Sequence, residues 1–576
     1  MSSLLLIALL VGPLEPSAPA EIADPAPAPV TETAPAPTTE ADVESAGRAE
    51  TESDRSDQVL IIDAEAVEPE SSDDAILIID DANDTPTAVP APGPPSSASR
   101  TWLRTEITSR LMIDTELEDT GEDVVEWWNT GRLRLDHRLD AELRAVVEGW
   151  VRWGVAGEDP GPDHGFFVVN ARDRKWTGEV ELREGWVEWR RLDFEIRIGQ
   201  QIFVWGKNEI MAAADILNPV DLRFDPLALL ESLKDAKVPV FAFDVGYWVG
   251  DLGVQLVVLP FFTPNRALLI GRDTALAQPG SELEEKITAM KIGGDIHPSI
   301  EDELQSAVTG SRVPEESPLQ ASLALRSSAS FAGIDVAATA FYGWDRTPRV
   351  RVDPDLALLL EAGDAILIDP QILVTDPELR DASLGVQQKA IAGEELVRAR
   401  YRRMWRLALE GQGVVGDFVF RGDVGFSPGQ TFYTSTLRPL WKNSLTAAVG
   451  VEYMRGEEWY LALTGYTLAV FRAPDDAIVL GVEADADDPS TRETAALWGG
   501  SATVRWRLTD RDVEIAASAL YNVEPGDHMA TVSVTYDGFE PHVFKIGGMT
   551  SDGPSGTLGR RYRNNEFVFL VYRVTF

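Results

Sequence analysis

The fold class that this sequence predicts is an all-β protein, a transmembrane antiparallel β-barrel of about eighteen strands, with sixteen as the next choice. From residue 101 onwards, apolar and polar residues alternate in run after run, and no apolar stretch approaches the roughly twenty residues of a membrane helix. The connections between these runs are alternately short and long, as in barrels with short periplasmic turns and long outer loops. Among the short ones, turns are predicted near 411–413 and 537–539. The chain also ends in an alternating strand whose final residue is aromatic.

Bulk composition argues against several other classes of protein. The formal net charge of −43 argues against nucleic-acid binding, which needs a basic face. Cysteine is absent, so disulfides and thiolate chemistry are excluded, and the five histidines are too far apart for a local metal-binding pair. His137 beside Asp136 and His164 beside Asp163 lack a nucleophile that the sequence can nominate. We therefore expect no enzyme, no cofactor and no metal site.

The first hundred residues have the composition of an export signal and an unstructured arm. The apolar run 4–11 is too short to span a bilayer, and Ala18-Pro-Ala20 resembles a cleavage site, which predicts a signal peptide over residues 1–20. A buried N-terminal strand is the alternative. Residues 21–100 are acidic and rich in Pro and Ala, which predicts a disordered periplasmic arm before a barrel over residues 101–576.

Two near-identical segments, 57–63 and 74–80, interrupt this arm. Each is an apolar, β-branched run bounded by acidic residues. Such a run could add a strand to the sheet edge of a periplasmic partner. The alternative is a pair of aggregation-prone segments that their flanking charges keep soluble.

The C-terminal strand, residues 566–576, is the most specific indication of location. Val568, Leu570, Tyr572, Val574 and Phe576 share one face. This pattern resembles the closing strand of Gram-negative outer-membrane barrels, whose terminal aromatic residue is recognised by the assembly machinery. We therefore expect the outer membrane of a Gram-negative cell as the location. The expected partners are its lipid and the barrel-assembly machinery, with Tyr572 and Phe576 as the assembly signal.

The faces opposite the apolar ones would line the lumen, and they carry charges of both signs. One strand is predicted over 397–409, with its arginines on the polar face except for Arg403. The predicted lumen-lining residues are Glu195, Arg197, Arg398, Arg400, Arg402 and Arg406. Arginines in a row can favour anions. Because acids are interspersed, pairing across strands is the favoured interpretation.

A long stretch after the fifth strand, residues 204–239, does not read as an ordinary loop. Asp225 and Pro226 are a suitable N-cap and first residue for a short helix over 226–237. Pro219 disfavours helix at Asn218, whose side chain can bond nearby backbone. The stretch could cap the barrel from outside or fold into it. Infolding is favoured, because helix-bearing loops are known to plug barrels.

The same stretch contains a recognisable motif. Arg197-x-Gly-x-Gln201, Trp205-Gly206 and Leu217-Asn-Pro-x-Asp-Leu222 resemble the signature of a porin-like Gram-negative outer-membrane family, catalogued as a domain of unknown function. The resemblance covers roughly residues 192–266. It implies a loop involved in the passage of hydrophobic or amphipathic molecules. Its candidate residues for anchoring or constriction are Gln201, Trp205, Gly206, Asn218, Pro219, Asp221 and Leu222.

The expected function is therefore a porin-like channel for passive passage of small solutes, constricted by the 204–239 loop. The alternative is a non-conducting barrel that anchors a periplasmic interaction arm and displays acidic extracellular loops.

Overall fold

The computed structural model describes residues 99–114, 125–155, 168–173, 176–208, 212–221, 235–266, 320–369, 371–392, 394, 396–434, 439–456, 458–473, 477–479, 482–483, 494–554, 557, 559 and 566–576. The predicted signal peptide, nearly all of the predicted arm with its two segments, and most of the predicted helix over 226–237 lie outside the described residues.

Strands dominate the described part of the chain. In order they are β1 (Arg100–Asp114), β2 (Val125–Arg138), β3 (Leu143–Val155), β4 (Val168–Asp173), β5 (Trp176–Arg191), β6 (Phe194–Gln201), β7 (Val240–Val249), β8 (Leu252–Leu259), β9 (Ser322–Phe331), β10 (Ile334–Trp344), β11 (Arg349–Val352), β12 (Val397–Arg400), β13 (Arg403–Val415), β14 (Phe418–Thr434), β15 (Pro439–Arg455), β16 (Trp459–Phe471), β17 (Ala477–Val479), β18 (Val482–Glu483), β19 (Thr494–Leu508), β20 (Val513–Glu524), β21 (Asp527–Phe539), β22 (His542–Asp552) and β23 (Phe567–Thr575).

Eighteen of these strands form a closed antiparallel barrel, which confirms the predicted fold and strand number. Each pairs with its neighbours in chain order, with β4, β11, β12, β17 and β18 left out of the ring. The ring closes where β1 pairs with β23 over nine positions, from Glu106 opposite Thr575 to Asp114 opposite Phe567. Closure leaves no free sheet edge in the wall, as a membrane requires.

The alternation of side chains separates a lipid-facing surface from the interior. On β13, Trp405, Leu407 and Leu409 are exposed on the outer face, whereas Arg406 and Ala408 are buried on the inner face. A polar residue on the outer face would have to leave water for hydrocarbon, so the outer face is apolar. None of the helices in the described part of the chain is long and apolar enough to cross a bilayer.

Tryptophans occur on both surfaces of the wall. Several are exposed near strand ends, which is typical of the aromatic girdle at a membrane interface: Trp102, Trp127, Trp189, Trp405, Trp441 and Trp459. Trp128, Trp150 and Trp186 are buried instead. Arginines lie over two of these buried rings, with Arg183 3.9 Å from the Trp150 centroid and Arg197 4.5 Å from that of Trp186.

The two ends of the barrel differ in the length of their connections. At the end that holds both Arg100 and Phe576, eight short turns join neighbouring strands: 139–142, 192–193, 250–251, 332–333, 416–417, 456–458, 509–512 and 540–541. Most connections at the opposite end are long, as predicted, although 435–438 and 525–526 are short. We call the two ends the short-turn end and the long-loop end.

Two turns lie a few residues from where the sequence predicted them. Residues 411–413 continue β13, and the turn follows at Gly416, whose φ of 60° suits glycine. The turn expected at 537–539 occurs at Glu540-Pro541. In both cases alternation continues past the glycine or aspartate that had indicated a turn.

The single strand predicted over 397–409 is wrong, because it is two strands in different sheets. β12 pairs with β11 in a separate two-stranded ribbon, and β13 begins only at Arg403. Between β11 and β12 lie four helices, α1 (Pro354–Glu361), α2 (Gly363–Ile368), α3 (Ile372–Thr375) and α4 (Pro377–Ile391). Lys389 of α4 bonds both Asp353 and Asp355 at the start of α1, with N–O distances of 2.7–2.9 Å.

Candidate functional site

The connection between β6 and β7 is described at residues 202–208, 212–221 and 235–239. These residues lie inside the barrel, and we call them the infolded loop. Its residues Phe203, Trp205, Ala213, Ala214 and Leu217 are buried in one apolar cluster with side chains of the wall. The wall contributes Val240, Ala242, Val257, Leu259, Ala324, Phe341, Met404 and Ala408, from β7, β8, β9, β10 and β13. The expected infolding is therefore confirmed.

We call the place where the infolded loop leaves β6 and returns to β7 its root. The side-chain amide of Asn218 holds the two segments together there. Asn218 Oδ1 accepts a hydrogen bond from Phe203 N at 2.7 Å. Its Nδ2 donates to Gln201 O at 3.2 Å and to Val238 O at 2.9 Å. One buried side chain thus joins the segment that enters the lumen to the segment that returns to β7.

Lys237 is the second link at the root. Its side chain is buried, and Nζ donates to Phe203 O at 2.8 Å and lies 2.7 Å from Asp215 Oδ2. A buried ammonium group is stable only with such partners. A backbone hydrogen bond, from Val238 N to Pro219 O at 2.8 Å, also holds the root together.

The far part of the loop is anchored on the opposite strands β14 and β15. Asp423 of β14 accepts hydrogen bonds from Lys207 N at 3.1 Å and from Asn208 N at 2.8 Å, and its carboxylate also bonds the Asn208 side chain. Arg421 donates to Lys207 O at 3.0 Å. Asn208 Nδ2 donates to Ala448 O of β15 at 3.4 Å. The loop therefore crosses the interior from the fifth barrel strand to the eleventh and twelfth.

Between root and tip, arginines of the wall and the long-loop end satisfy the loop's carbonyl groups. Arg406 Nε donates to Ala213 O at 2.8 Å, and Arg346 Nη1 donates to Ile216 O at 2.6 Å. Beside Arg346, Asp345 is buried and accepts hydrogen bonds from Thr347 N and Thr431 N, both at 3.0 Å. Burial raises the pKa of this carboxyl above its ordinary value, although these hydrogen bonds oppose the rise.

A charged cluster lies against the returning segment. Asp235 pairs with Arg132 of β2 at 2.7 Å, and Arg183 of β5 donates to Asp235 O at 3.3 Å. Burial disfavours the charged form of Asp235, but the guanidinium groups of Arg132 and Arg183 outweigh it and lower the pKa of this carboxyl to about 2. Nearby, Arg266 pairs with Glu181 at 2.8 Å. The Arg266–Glu181 pair is nearly cut off from water, so the loss of one of its members leaves a buried charge.

No family model matches the chain, and no curated protein matches it. Solved outer-membrane structures are similar in fold. The outer membrane protein opdK of Pseudomonas aeruginosa is 9% identical over 82% of this chain and 99% of its own, with a TM-score of 0.40. Acinetobacter baumannii OccAB1 is 7% identical over 83% and 95%, with a TM-score of 0.41. Salmonella typhi OmpF, solved with daunomycin, is 7% identical over 83% and 98%, with a TM-score of 0.37. At these values the likeness does not extend to function.

The structure places most motif residues at the root of the infolded loop. Gln201 Nε2 donates to Ala242 O at 3.2 Å, and Asp221 N donates to Ala236 O at 2.6 Å. Gly206 has a φ of 100°, and a β-carbon there would lie 2.5 Å from that of Ala212. Trp205 belongs to the apolar cluster described above. Leu222 lies outside the described residues.

The six predicted lumen-lining residues divide into two groups. Arg197 and Glu195 are on the inner face of β6 and pair with each other at 3.1 Å, while Arg197 also pairs with Glu188 at 2.8 Å. Arg406 is on the inner face of β13. The others lie on or beside the β11–β12 ribbon, outside the barrel wall: Arg398, Arg400 and Arg402.

The two residues of the predicted assembly signal lie at the barrel seam. Tyr572 Oη is 2.8 Å from His542 Nδ1. Phe576 is exposed, and its backbone N–H donates to Thr105 O at 2.7 Å, which extends the pairing between β1 and β23. Recognition of this strand by assembly machinery stays a prediction.

The sequence did not indicate which residues hydrogen-bond to the infolded loop and hold it in place. Asp423 lies in the strand sequence Arg421-Gly-Asp-Val-Gly425, whose alternation places it inside the barrel but cannot name its partner. Arg346 and Lys237 lie in connections, where no periodicity indicates a direction. A small residue opposite the loop is a weak signal: a β-carbon at Gly425 would lie only 3.0 Å from Ala213 Cβ.

Proposed function

We propose that this protein is a porin-like channel of the Gram-negative outer membrane, through which small solutes pass passively. The observation that carries the proposal is the infolded loop, which crosses the interior from β6 to β14 and is bonded at both ends. A loop of this kind narrows a barrel, and eighteen strands are enough to leave an aqueous path beside it. The long-loop end is then extracellular.

The inner wall beside the returning segment supports a hydrated path. β2, β3 and β5 present ion pairs, among them Arg134 with Glu148 at 2.8 Å and with Glu184 at 3.0 Å. Arg144 pairs with Asp136 across the same face. Because these charges balance, we propose little selectivity between anions and cations in this part of the wall. The hydrophobic or amphipathic class of solute rests on the family resemblance alone.

A non-conducting barrel that anchors the periplasmic arm is the second candidate. One observation favours it: Met529 and Phe569, on inner faces of β21 and β23, are only 2% and 1% exposed. They belong to an apolar cluster with Met112, Trp128, Met549 and Phe567. Inner side chains covered to this degree are what a filled barrel would show.

Conductance in planar bilayers separates the two candidates. We expect the wild-type protein to conduct steadily. The double variant Asn208→Ala/Asp423→Asn, which loses the anchor at the tip, should conduct more, with larger fluctuations. Silence of the wild type and of the released variant would refute the channel and favour the anchor.

A cysteine pair supplies the matched control. The chain has no cysteine, so Ala213→Cys with Gly425→Cys introduces the only two thiols. Their β-carbons would start 3.0 Å apart, slightly closer than the roughly 3.5–4.5 Å of disulfides, so a small shift permits the bond. Adding this pair to the released variant should return conductance to the wild-type level when oxidised, and reduction should reverse the effect. The conductance of each single-cysteine variant should change neither on oxidation nor on reduction.

A further inference from the structure

Arginines face one another across the small ribbon at the long-loop end. In the register of β11 and β12, Arg349 is opposite Arg400, and Arg351 is opposite Arg398. Like charges at directly opposed positions destabilise a pair of strands. Two such pairs concentrate positive charge on a four-residue ribbon.

A cavity of about 280 Å³ lies beside this ribbon. It is lined by Arg349, Arg351, Arg400, Tyr401 and Arg402. Four guanidinium groups thus surround one space, and this lining, as far as the structure describes it, includes no carboxylate. The chain as a whole carries a formal charge of −43, so a basic cavity is a marked local exception.

The acids that come next in the sequence have another partner. Asp353 and Asp355 follow β11 directly, and both are bound by Lys389 at 2.7–2.9 Å. Their charge is engaged by the ammonium group, which holds the start of α1 against α4. The carboxylates that follow the ribbon in the sequence are therefore bonded to Lys389, and neither lines the cavity.

The cavity lies near the outer surface of the wall. Trp441 is flanked by two of its arginines, with Arg349 Cζ 4.2 Å and Arg402 Cζ 4.1 Å from the ring centroid. Trp441 is 39% exposed and shares the outward face of β15 with Val449, which is 70% exposed. An exposed tryptophan at a strand end is typical of the level of lipid headgroups.

We propose that this cavity binds a phosphoryl group. Guanidinium groups donate two parallel hydrogen bonds to phosphate oxygens, and several of them can neutralise a doubly charged anion. The phosphate can belong to a glycolipid headgroup of the outer leaflet, or to a free anion. This inference adds a binding site outside the lumen, and it does not depend on conduction.

Two probes distinguish the sources on the full-length protein. Inorganic pyrophosphate is titrated calorimetrically against the protein in a zwitterionic detergent. Lipid A, as the phosphorylated glycolipid, is offered in phosphatidylcholine nanodiscs, with dephosphorylated lipid A as the comparison. The test variant is Arg351→Gln/Arg400→Gln/Arg402→Gln. Its matched control is Arg380→Gln, an exposed arginine of α4 that pairs with Asp381.

We expect saturable binding of a phosphorylated probe, weakened at least about tenfold in the triple variant, unchanged in Arg380→Gln, and reduced by salt. Binding of lipid A alone assigns the site to a headgroup, and binding of pyrophosphate alone assigns it to a free anion. No binding of either probe, or equal binding by the triple variant, would overturn the proposal. An unchanged heat-dependent shift in electrophoretic mobility shows that the variant barrel is folded.

Discussion

Replacing Asn218 by alanine should release the infolded loop, because one side chain joins its two segments. The substitution leaves Phe203 N–H and the carbonyl groups of Gln201 and Val238 without these bonds in a buried place. A buried polar group without a partner costs about 1–3 kcal/mol. At the low end, three groups cost about 3 kcal/mol, which is roughly a hundredfold change in the equilibrium between seated and released loop.

The rate at which a buried thiol is labelled measures this equilibrium. Ala213 is 0% exposed, and the chain has no cysteine, so Ala213→Cys gives a single reporter that reacts only after release. When opening is faster than labelling, the rate follows the open population. We expect maleimide to label the reporter roughly a hundred times faster in the Asn218→Ala background than in the parent.

Two further variants test the reasoning. Asn218→Asp keeps an acceptor for Phe203 N but loses both donors, so it too should label faster than the parent. Asn443→Ala removes only an exposed bond, in which Asn443 Oδ1 accepts from Gly429 N at 3.1 Å, and should change nothing. If Asn218→Ala labels within about threefold of the parent while the barrel remains folded, the amide does not hold the loop.

Three other predictions concern the root and the wall. The pKa of Asp235, about 2, lies below its ordinary value near 4, so its pairing with Arg132 stabilises the seated loop fully above about pH 4 and is lost as the pH falls toward 2. Asp235→Asn removes this pairing at every pH, so it should accelerate labelling at neutral pH, where the thiol still reacts with maleimide. Gly199→Ala should prevent barrel folding, seen as loss of heat-dependent mobility, because φ is 137° and the β-carbon would collide with Gly185 O. Trp205→Ala should cost about 3–5 kcal/mol of packing and speed labelling more than Asn218→Ala does.

The barrel was predictable because its signals are local and repeated. Alternation decides which face of each strand meets lipid, and a shift of one residue would reverse every side chain. The same rule failed at residues 397–409. Val397 to Arg400 alternates in phase with Trp405 to Leu409, and the inversion at Arg403-Met404 is too short to indicate that one strand ends and another begins. Only the partner strand distinguishes the ribbon from the wall.

The root of the infolded loop was predictable in part, since Asn218 beside a proline indicated local backbone bonding. Its partners at 2.7–3.2 Å are within twenty residues of it along the chain. The tip was not predictable. Asn208 and Asp423 are 215 residues apart, and nothing in either segment names the other. Contacts of this length depend on how the closed barrel brings distant strands together.

The sequence of the wall strands nevertheless indicates where the infolded loop packs against them. A strand between lipid and an aqueous lumen should be apolar on one face only, whereas a strand buried on both faces reads as a continuous apolar run. β8, Leu252–Leu259, is apolar at nearly every position, and its inner residues Val257 and Leu259 pack against the infolded loop. β2 on the other side alternates strictly around Arg132 and Arg134. Loss of alternation in β8 therefore marks the part of the wall whose inner face is covered by the infolded loop. This feature of the sequence alone could have predicted where the loop packs.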